Sequence, residues 1–531
     1  MSSMCRVWDV ISERVHESRP VGRATFSEAM RAWFLGDFEG CLALCDRVRA
    51  HDVDMVSQLA LLRARALLRL GRNDEAIGVV CDVFVAHGTL DASLTARMLL
   101  GTGYVRSGDY RRGLEILQDA YRASADAHPT IRSEIALNVA LGHYCLRELP
   151  QADRALDLVS PGADIVHARA FEYRGWVAAG RGDYAVALTS FRAALERLDG
   201  CRHYDRFLEG HTLQALAILA AERLDRTAWL FVEHRSERFD WSSSGLEAPR
   251  HSLQLYASMQ YEADGRIHDA LRILADAERA APTVPLRLQA QCRRAAVLRS
   301  SKESFAHFDA VARIRHEFDQ LDLASLRGDD AQLPLAIAEE TAYTGDVLGA
   351  RALLKRYDEL SDAAAGLSSL TDDPRLTGIR AFVEAVVADA GGEHRLAHTR
   401  YRESFQTFHR IGYERRALLA ALRLGELTGQ AYLFEYVDRT VRKLSPASAL
   451  RARARRQNPT LTDPVVGNLS RTERTVLQLL CDGKSTAEIA EARGRSKQTI
   501  RNTISRILTA FEVPDRPALL RECLRRGLIP R

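Results

Sequence analysis

From Gly36 to Ala397 the chain returns again and again to one spacing, a glycine followed five positions later by alanine or another small residue. The clear pairs are Gly36/Cys41, Gly71/Ala76, Gly108/Gly113, Gly182/Ala187, Gly265/Ala270, Gly345/Ala350 and Gly392/Ala397. Weaker copies at Arg147/Ala152, Arg223/Ala228 and Ser301/Ala306 fill the gaps, so successive anchors lie 35 to 47 residues apart. A period of that length is one pair of antiparallel helices. The glycine ends the first helix, and the small residue lets the backbone of the second come close. Such hairpins stack into a superhelix whose concave face suits peptides, protein segments or small ligands.

In "GWVAAGRGDYAVALTSFRAAL", Gly175, Gly182, Tyr184, Ala187, Phe191 and Ala194 take turn and helix-face positions, with Phe191 expected to fill space between neighbouring repeats. In "LGTGYVRSGDYRRGLEILQDA" the matching residues are Leu100, Gly101, Tyr104, Gly108, Tyr110 and Ala120. On these residues the chain resembles tetratricopeptide repeats, with Gly113 in place of the usual alanine. The resemblance implies an all-α helical-hairpin solenoid over residues 1–438, a body that binds an unidentified protein or small-molecule partner. No array residue stands out as its contact, and Trp8, Trp33, Trp176, Trp229 and Trp241 read as core.

Charge separates this body from the C-terminal end of the chain. Residues 1–438 hold 54 basic and 62 acidic side chains, residues 439–467 hold 7 and 1, and residues 468–531 hold 13 and 7. A basic end on an acidic body is the footprint of a chain whose tail alone meets a polyanion. The apolar run Leu216 to Ala221 is far too short to span a membrane, and the N-terminus has acidic residues where a signal peptide has its apolar core. A cytoplasmic protein without membrane contact is expected. Nine cysteines without a Cys-x-x-Cys pair do not form a disulfide or zinc framework.

Enzyme signatures fail one by one. His394 and His398 share a helical face but lack further ligands, and Gln320 stands where a zinc-protease string opened by His316-Glu317 needs its second histidine. Gly483-Lys484-Ser485 could end a phosphate loop, but Gln478 occupies the required glycine position and the preceding residues carry a helical stripe. No catalytic site and no cofactor is expected.

The same three residues read better as a helix stop and then a helix start. Ser470/Glu473 and Ser485/Glu488 are capping boxes opening helices that stop at Gly483 and Gly494, and Ser496 caps a third helix running to about Phe511. Pro517 and Gly527 bracket a fourth. The second and third helices, joined at Gly494, make a helix-turn-helix. Within the third, Ile500, Ile504, Ile507, Leu508 and Phe511 form the apolar stripe, and the other face presents Gln498, Arg501, Asn502 and Ser505. Arginine, asparagine and serine donors and acceptors suit base edges in the major groove of double-stranded DNA. Lys484, Arg495, Lys497, Thr499 and Arg506 around them suit phosphates.

The segment from Leu469 to about Leu519 resembles the LuxR/GerE-type DNA-binding domain. The matching residues include Leu469, Glu473, Val476, Leu477, Gly483, Ser485, Glu488, Ile489, Ala490, Ser496, Thr499, Ile500, Arg501, Ile507, Val513, Arg516 and Ala518. Thr472, Thr486, Ala487, Arg493, Arg495, Thr503 and Ala510 depart from the family pattern. The resemblance places Arg501, Asn502 and Ser505 at groove-reading positions. It also places the fourth helix, through Ala518, Leu519, Glu522 and Cys523, at a dimer contact. It implies a transcriptional regulator that binds an inverted repeat as a homodimer, with the array as sensor, residues 439–468 as a basic helix and linker, and residues 469–531 as DNA reader. The competing reading is a tetratricopeptide adaptor whose last domain only dimerises.

Overall fold

The computed structural model describes residues 20–47, 53–83, 89–161, 164–201, 204–242, 245–323, 326, 328–364, 373–457 and 464–525. All seven glycines that anchor the repeat have positive φ, between 74° and 99°. At the best-formed turn, Gly108 ends helix Leu90–Ser107 and Asp109 caps helix Tyr110–Arg122, its carboxylate accepting the Arg112 N–H at 3.4 Å. The same aspartate stands after the left-handed residue at Asp37, Asp183, Asp225 and Asp346, each accepting an N–H three residues on. A residue that stops one helix beside one that starts the next fixes a tight hairpin locally.

Two of the weaker copies are shifted. The left-handed residue is Arg147 as expected, but Leu224 and Lys302 stand where Arg223 and Ser301 were expected. Five positions after Lys302 lies His307, which is buried with Nε2 2.9 Å from Glu340, while Ala306 is only half-buried. Glu340 belongs to helix Leu333–Tyr343 of the next hairpin, so this polar pair ties two neighbouring hairpins together.

The small residues elsewhere are where the two helices of a hairpin touch. A Cβ on Gly113 would stand 2.6 Å from the Gly101 carbonyl oxygen and 2.7 Å from the Val105 nitrogen, so at this level backbone packs on backbone. Phe191 is fully buried in the core that its hairpin shares with the following repeat. Its ring covers Gly175 of its own hairpin, where a Cβ would come within 2.6 Å, and Trp176 meets its edge at 5.3 Å.

Stacked in order, the hairpins build two large cores, Phe26 to Val177 and Ala178 to Ala454, with small satellite clusters around Leu198 and Leu274. Among the described residues there is no strand, and no helix is long and apolar enough to cross a membrane. The second half of this tetratricopeptide-like solenoid closes on itself. Tyr413 meets Tyr184 at 5.1 Å between ring centroids, and Glu222 lies 3.5 Å from Arg416. Glu262, on helix Glu247–Ala263, accepts from Arg293 at 2.5 Å and from Arg415 at 3.1 Å, although 153 residues separate it from the latter.

The array's core also runs past residue 438. Val441, Leu444 and Ala454 are buried with it, and the Ser445 N–H donates to the Ala263 carbonyl at 3.2 Å. The first part of the segment expected to be a tether therefore belongs to the body. Residues 458–463, with Pro459, lie outside the described residues.

Two substitutions probe this packing from opposite sides. Gly113→Ala forces backbone apart and is expected to lower stability by about 1–3 kcal/mol. Gly78→Ala, inside helix Asn73–Val83 with nothing within 4 Å of a new Cβ, is expected to raise it by about 0.5–1 kcal/mol. Thermal unfolding of both variants reads the difference in sign. Burial alone would raise the Glu262 carboxyl, but the Arg293 and Arg415 guanidinium groups outweigh it and hold it at about 2, below its ordinary 4.5. A depressed carboxylate contributes stability above the unfolded value that is lost as pH falls through the folded one, here from 4.5 towards 2. Urea unfolding at stepped pH is expected to show an acid-labile contribution on the order of 3 kcal/mol that Glu262→Gln removes.

Candidate nucleic-acid interface

The C-terminal helices start and stop where their side chains cap them. Ser470 Oγ accepts the Glu473 N–H at 3.3 Å, Glu473 accepts the Ser470 N–H at 2.9 Å, and helix Arg471–Cys481 begins there. Ser485 and Glu488 make the same reciprocal pair, at 3.3 Å and 2.7 Å, in front of helix Thr486–Ala492. Donation from the Ser470 side chain and backbone lowers the Glu473 carboxyl, and donation from the Ser485 backbone lowers that of Glu488. Ser496 Oγ accepts the Thr499 N–H at 3.1 Å and opens helix Lys497–Ala510. The fourth helix is Arg516–Arg525.

Between the first two helices, Gly483 has φ 79°. Its N–H donates to Leu480 at 3.1 Å, and that of Lys484 to Leu479 at 3.0 Å. These amides close the preceding helix and are not turned outward around a phosphate, so the loop reading of Gly483-Lys484-Ser485 has no geometry behind it.

The domain has its own core. Val476, Leu477 and Leu480 of the first helix pack with Ile489 of the second and with Ile500, Ile507 and Phe511 of the third. Ile504 and Leu508, expected in the stripe, are half-buried at its edge. Thr503 takes a buried place instead, its hydroxyl donating to the Thr499 carbonyl at 3.0 Å.

On the other side of this helix Gln498, Arg501, Asn502 and Ser505 are all exposed with the whole chain folded. Gln498 Nε2 donates to Asn502 Oδ1 at 3.1 Å, which steadies two of the four against each other. Lys484, Arg495, Lys497, Thr499 and Arg506 are exposed around them. Lys484 lies 3.6 Å from Glu488 and Arg506 3.6 Å from Glu473, so the two capping carboxylates also orient cations at the rim. Arg516, for which the sequence suggested no contact, donates to the Lys484 carbonyl at 2.6 Å and ties the fourth helix to the turn between the first two.

The expected dimer residues divide. Leu519 and Cys523 are fully buried in the domain's own core, so neither can reach a second copy while the fourth helix stays in place. Ala518 and Glu522 are half-buried, and Glu522 is held by Arg525 at 2.5 Å. The domain rests on the last long helix of the body, Ala431–Val441. Thr475 donates to Glu435 at 3.3 Å, and Arg474 lies 3.6 Å from Asp438.

No curated protein matches the chain. Three solved structures similar to it are the Rap protein complexed with competence and sporulation factor, the APC/C hetero-tetramer Cut9–Hcn1, and a monomeric IFIT1 mutant with m7Gppp-AAAA. The first has 12% identity and a TM-score of 0.46, covering 69% of this chain and 99% of that one. The second has 12% and 0.28, with coverages of 86% and 97%, and the third 13% and 0.34, with 79% and 94%. Likenesses at these scores carry no weight for what the array binds. Residues 467–523, by contrast, match the family described as bacterial regulatory proteins, luxR family. The chain therefore carries, after its tetratricopeptide-like body, a helix-turn-helix domain of the GerE/LuxR type.

Proposed function

We propose that the chain is a cytoplasmic, sequence-specific DNA-binding transcriptional regulator whose repeat array senses a ligand or protein partner and controls the C-terminal domain. The observation that carries this reading is the exposed set Gln498, Arg501, Asn502 and Ser505 on the third helix of a LuxR-type domain. That set is accessible even with the domain resting on the body. Arg501 suits guanine and Asn502 adenine in the major groove, while Lys484, Arg495, Lys497, Thr499 and Arg506 hold phosphates and set the register.

Two copies bind an inverted repeat, each placing its third helix in one of two successive major grooves. The dimer contact lies on the exposed side of the fourth helix, around Ala518 and Glu522, because its other side is core. The polar contacts from Thr475 and Arg474 to Glu435 and Asp438 are the kind that a rearranged array breaks at small cost, freeing the domain.

Fluorescence anisotropy of the full chain on an operator selected from a random pool, at two salt concentrations, tests the assignment. Arg501→Ala and Asn502→Ala are each expected to cost about 1–3 kcal/mol and to relax preference at one base position. Lys497→Ala is expected to weaken all sequences alike and to reduce the salt slope by about 1. Affinity and preference unchanged in the Arg501/Asn502 double variant would overturn the reading face. Absence of any salt-dependent DNA affinity would favour the adaptor reading.

A further inference from the structure

Inside the first half of the array the helices Val53–Arg69, Leu90–Ser107, Pro129–Cys145, Asp164–Arg181 and Arg206–Glu222 enclose a cavity of about 530 Å3. That is the size of small-molecule sites, which are mostly apolar with a few convergent polar groups. Trp33, Trp176 and Phe207 supply aromatic wall. The second half of the solenoid is closed by its own contacts, Tyr184 to Tyr413 and Glu262 to Arg415, so the cavity is not one stretch of an open groove running the length of the body.

Its charges do not balance. Four arginines line it, Arg65, Arg69, Arg106 and Arg169. Arg65 is 2.9 Å from Glu134, while Arg169 at 2.5 Å and Arg69 at 3.6 Å share the single carboxylate of Asp205. Arg69 also lies 4.1 Å over the Phe207 ring. Arg106 is exposed, donates to the Leu68 carbonyl at 2.6 Å, and has no carboxylate within ion-pair distance among the described residues.

The remaining acid on the wall does not supply the missing charge. Burial favours the neutral form of the Glu172 carboxyl, pushing it up to about 8 against the opposing pull of Arg169. Burial pushes His211 down to about 4, so it adds no positive charge at pH 7. A further donor is unused, because Trp33 is only 6% exposed and its buried indole nitrogen has no hydrogen-bond partner. A guanidinium with no carboxylate partner beside an aromatic wall suits an anionic group, and an unmet buried donor calls for an acceptor.

We infer that this cavity binds a small organic anion, a carboxylate or phosphate on an apolar ring-bearing body, with Arg106 taking the acidic group and the aromatic wall taking the ring. The inference rests on the sensing role proposed above and gives it a place and a ligand chemistry.

Isothermal titration of the full chain with 1-naphthylacetate, 1-naphthyl phosphate and 3-phenylpropionate, against neutral 1-naphthylacetamide, tests it. At least one anion is expected to bind at one site per chain, about tenfold or more tighter than the amide, as one charge-assisted hydrogen bond implies. Arg106→Gln, which keeps a side-chain amide able to donate to the Leu68 carbonyl, is expected to remove that preference and leave the amide unchanged. Trp33→Phe is expected to weaken the anion with the ring contact kept. No saturable binding by any of the three anions, equal binding of the amide, full affinity in Arg106→Gln, or binding confined to acidic peptides too long for the cavity would each overturn the inference. DNA anisotropy of Arg106→Gln without probe separates the two readings. Retained operator affinity with no anion site leaves the regulator standing and the cavity assignment fallen.

Discussion

The body of this protein depends on how closely two helices of one hairpin approach. At Gly101 and Gly113 backbone meets backbone, and the alternative at Gly175 is an aromatic ring lying on a bare Cα. Each hairpin made this way is thin and leaves an apolar face that only its neighbour covers. Stability therefore passes from hairpin to hairpin. At His307 a buried hydrogen-bonded pair with Glu340 joins one hairpin to the next, so a polar contact there adds to the apolar ones.

Buried charge then distinguishes the two halves of the solenoid. In the second half Glu262 stands between Arg293 and Arg415, and Glu222 beside Arg416, so opposite charges meet across a large separation in sequence and draw distant hairpins together. In the first half Arg65, Arg69, Arg106 and Arg169 converge on the cavity, and Arg106 has no carboxylate within ion-pair distance among the described residues. The same residue type thus closes one half of the array and lines a cavity in the other.

The C-terminal domain is the most legible part of the chain. Its helix boundaries at Gly483, Ser485, Gly494 and Ser496 come from capping bonds that reach three residues at most, and such bonds form in much the same way whatever surrounds them. The exposed face of the third helix comes from helical periodicity for the same reason. On the fourth helix, the turning of Leu519 and Cys523 into the domain's own core follows from how the helices pack, which no pattern within that helix records. In the array, the shifts to Leu224 and Lys302 are hidden because a left-handed residue other than glycine carries no compositional mark. The aspartate beside five of these turns is a usable signal.

By itself the amino-acid sequence determined the hairpin period, the glycine-anchored turns, the four C-terminal helices and the side of the third that meets solvent. Each of these is set by residues within a few positions of one another. Only the tertiary structure decided that the solenoid closes through Glu262 and Arg415, that the core continues to Ala454, and that Trp33, Trp176 and Arg106 line one cavity. Those features come from side chains tens to more than a hundred residues apart. The small rotations between successive hairpins add up to set which of them meet, and no short-range pattern records that sum.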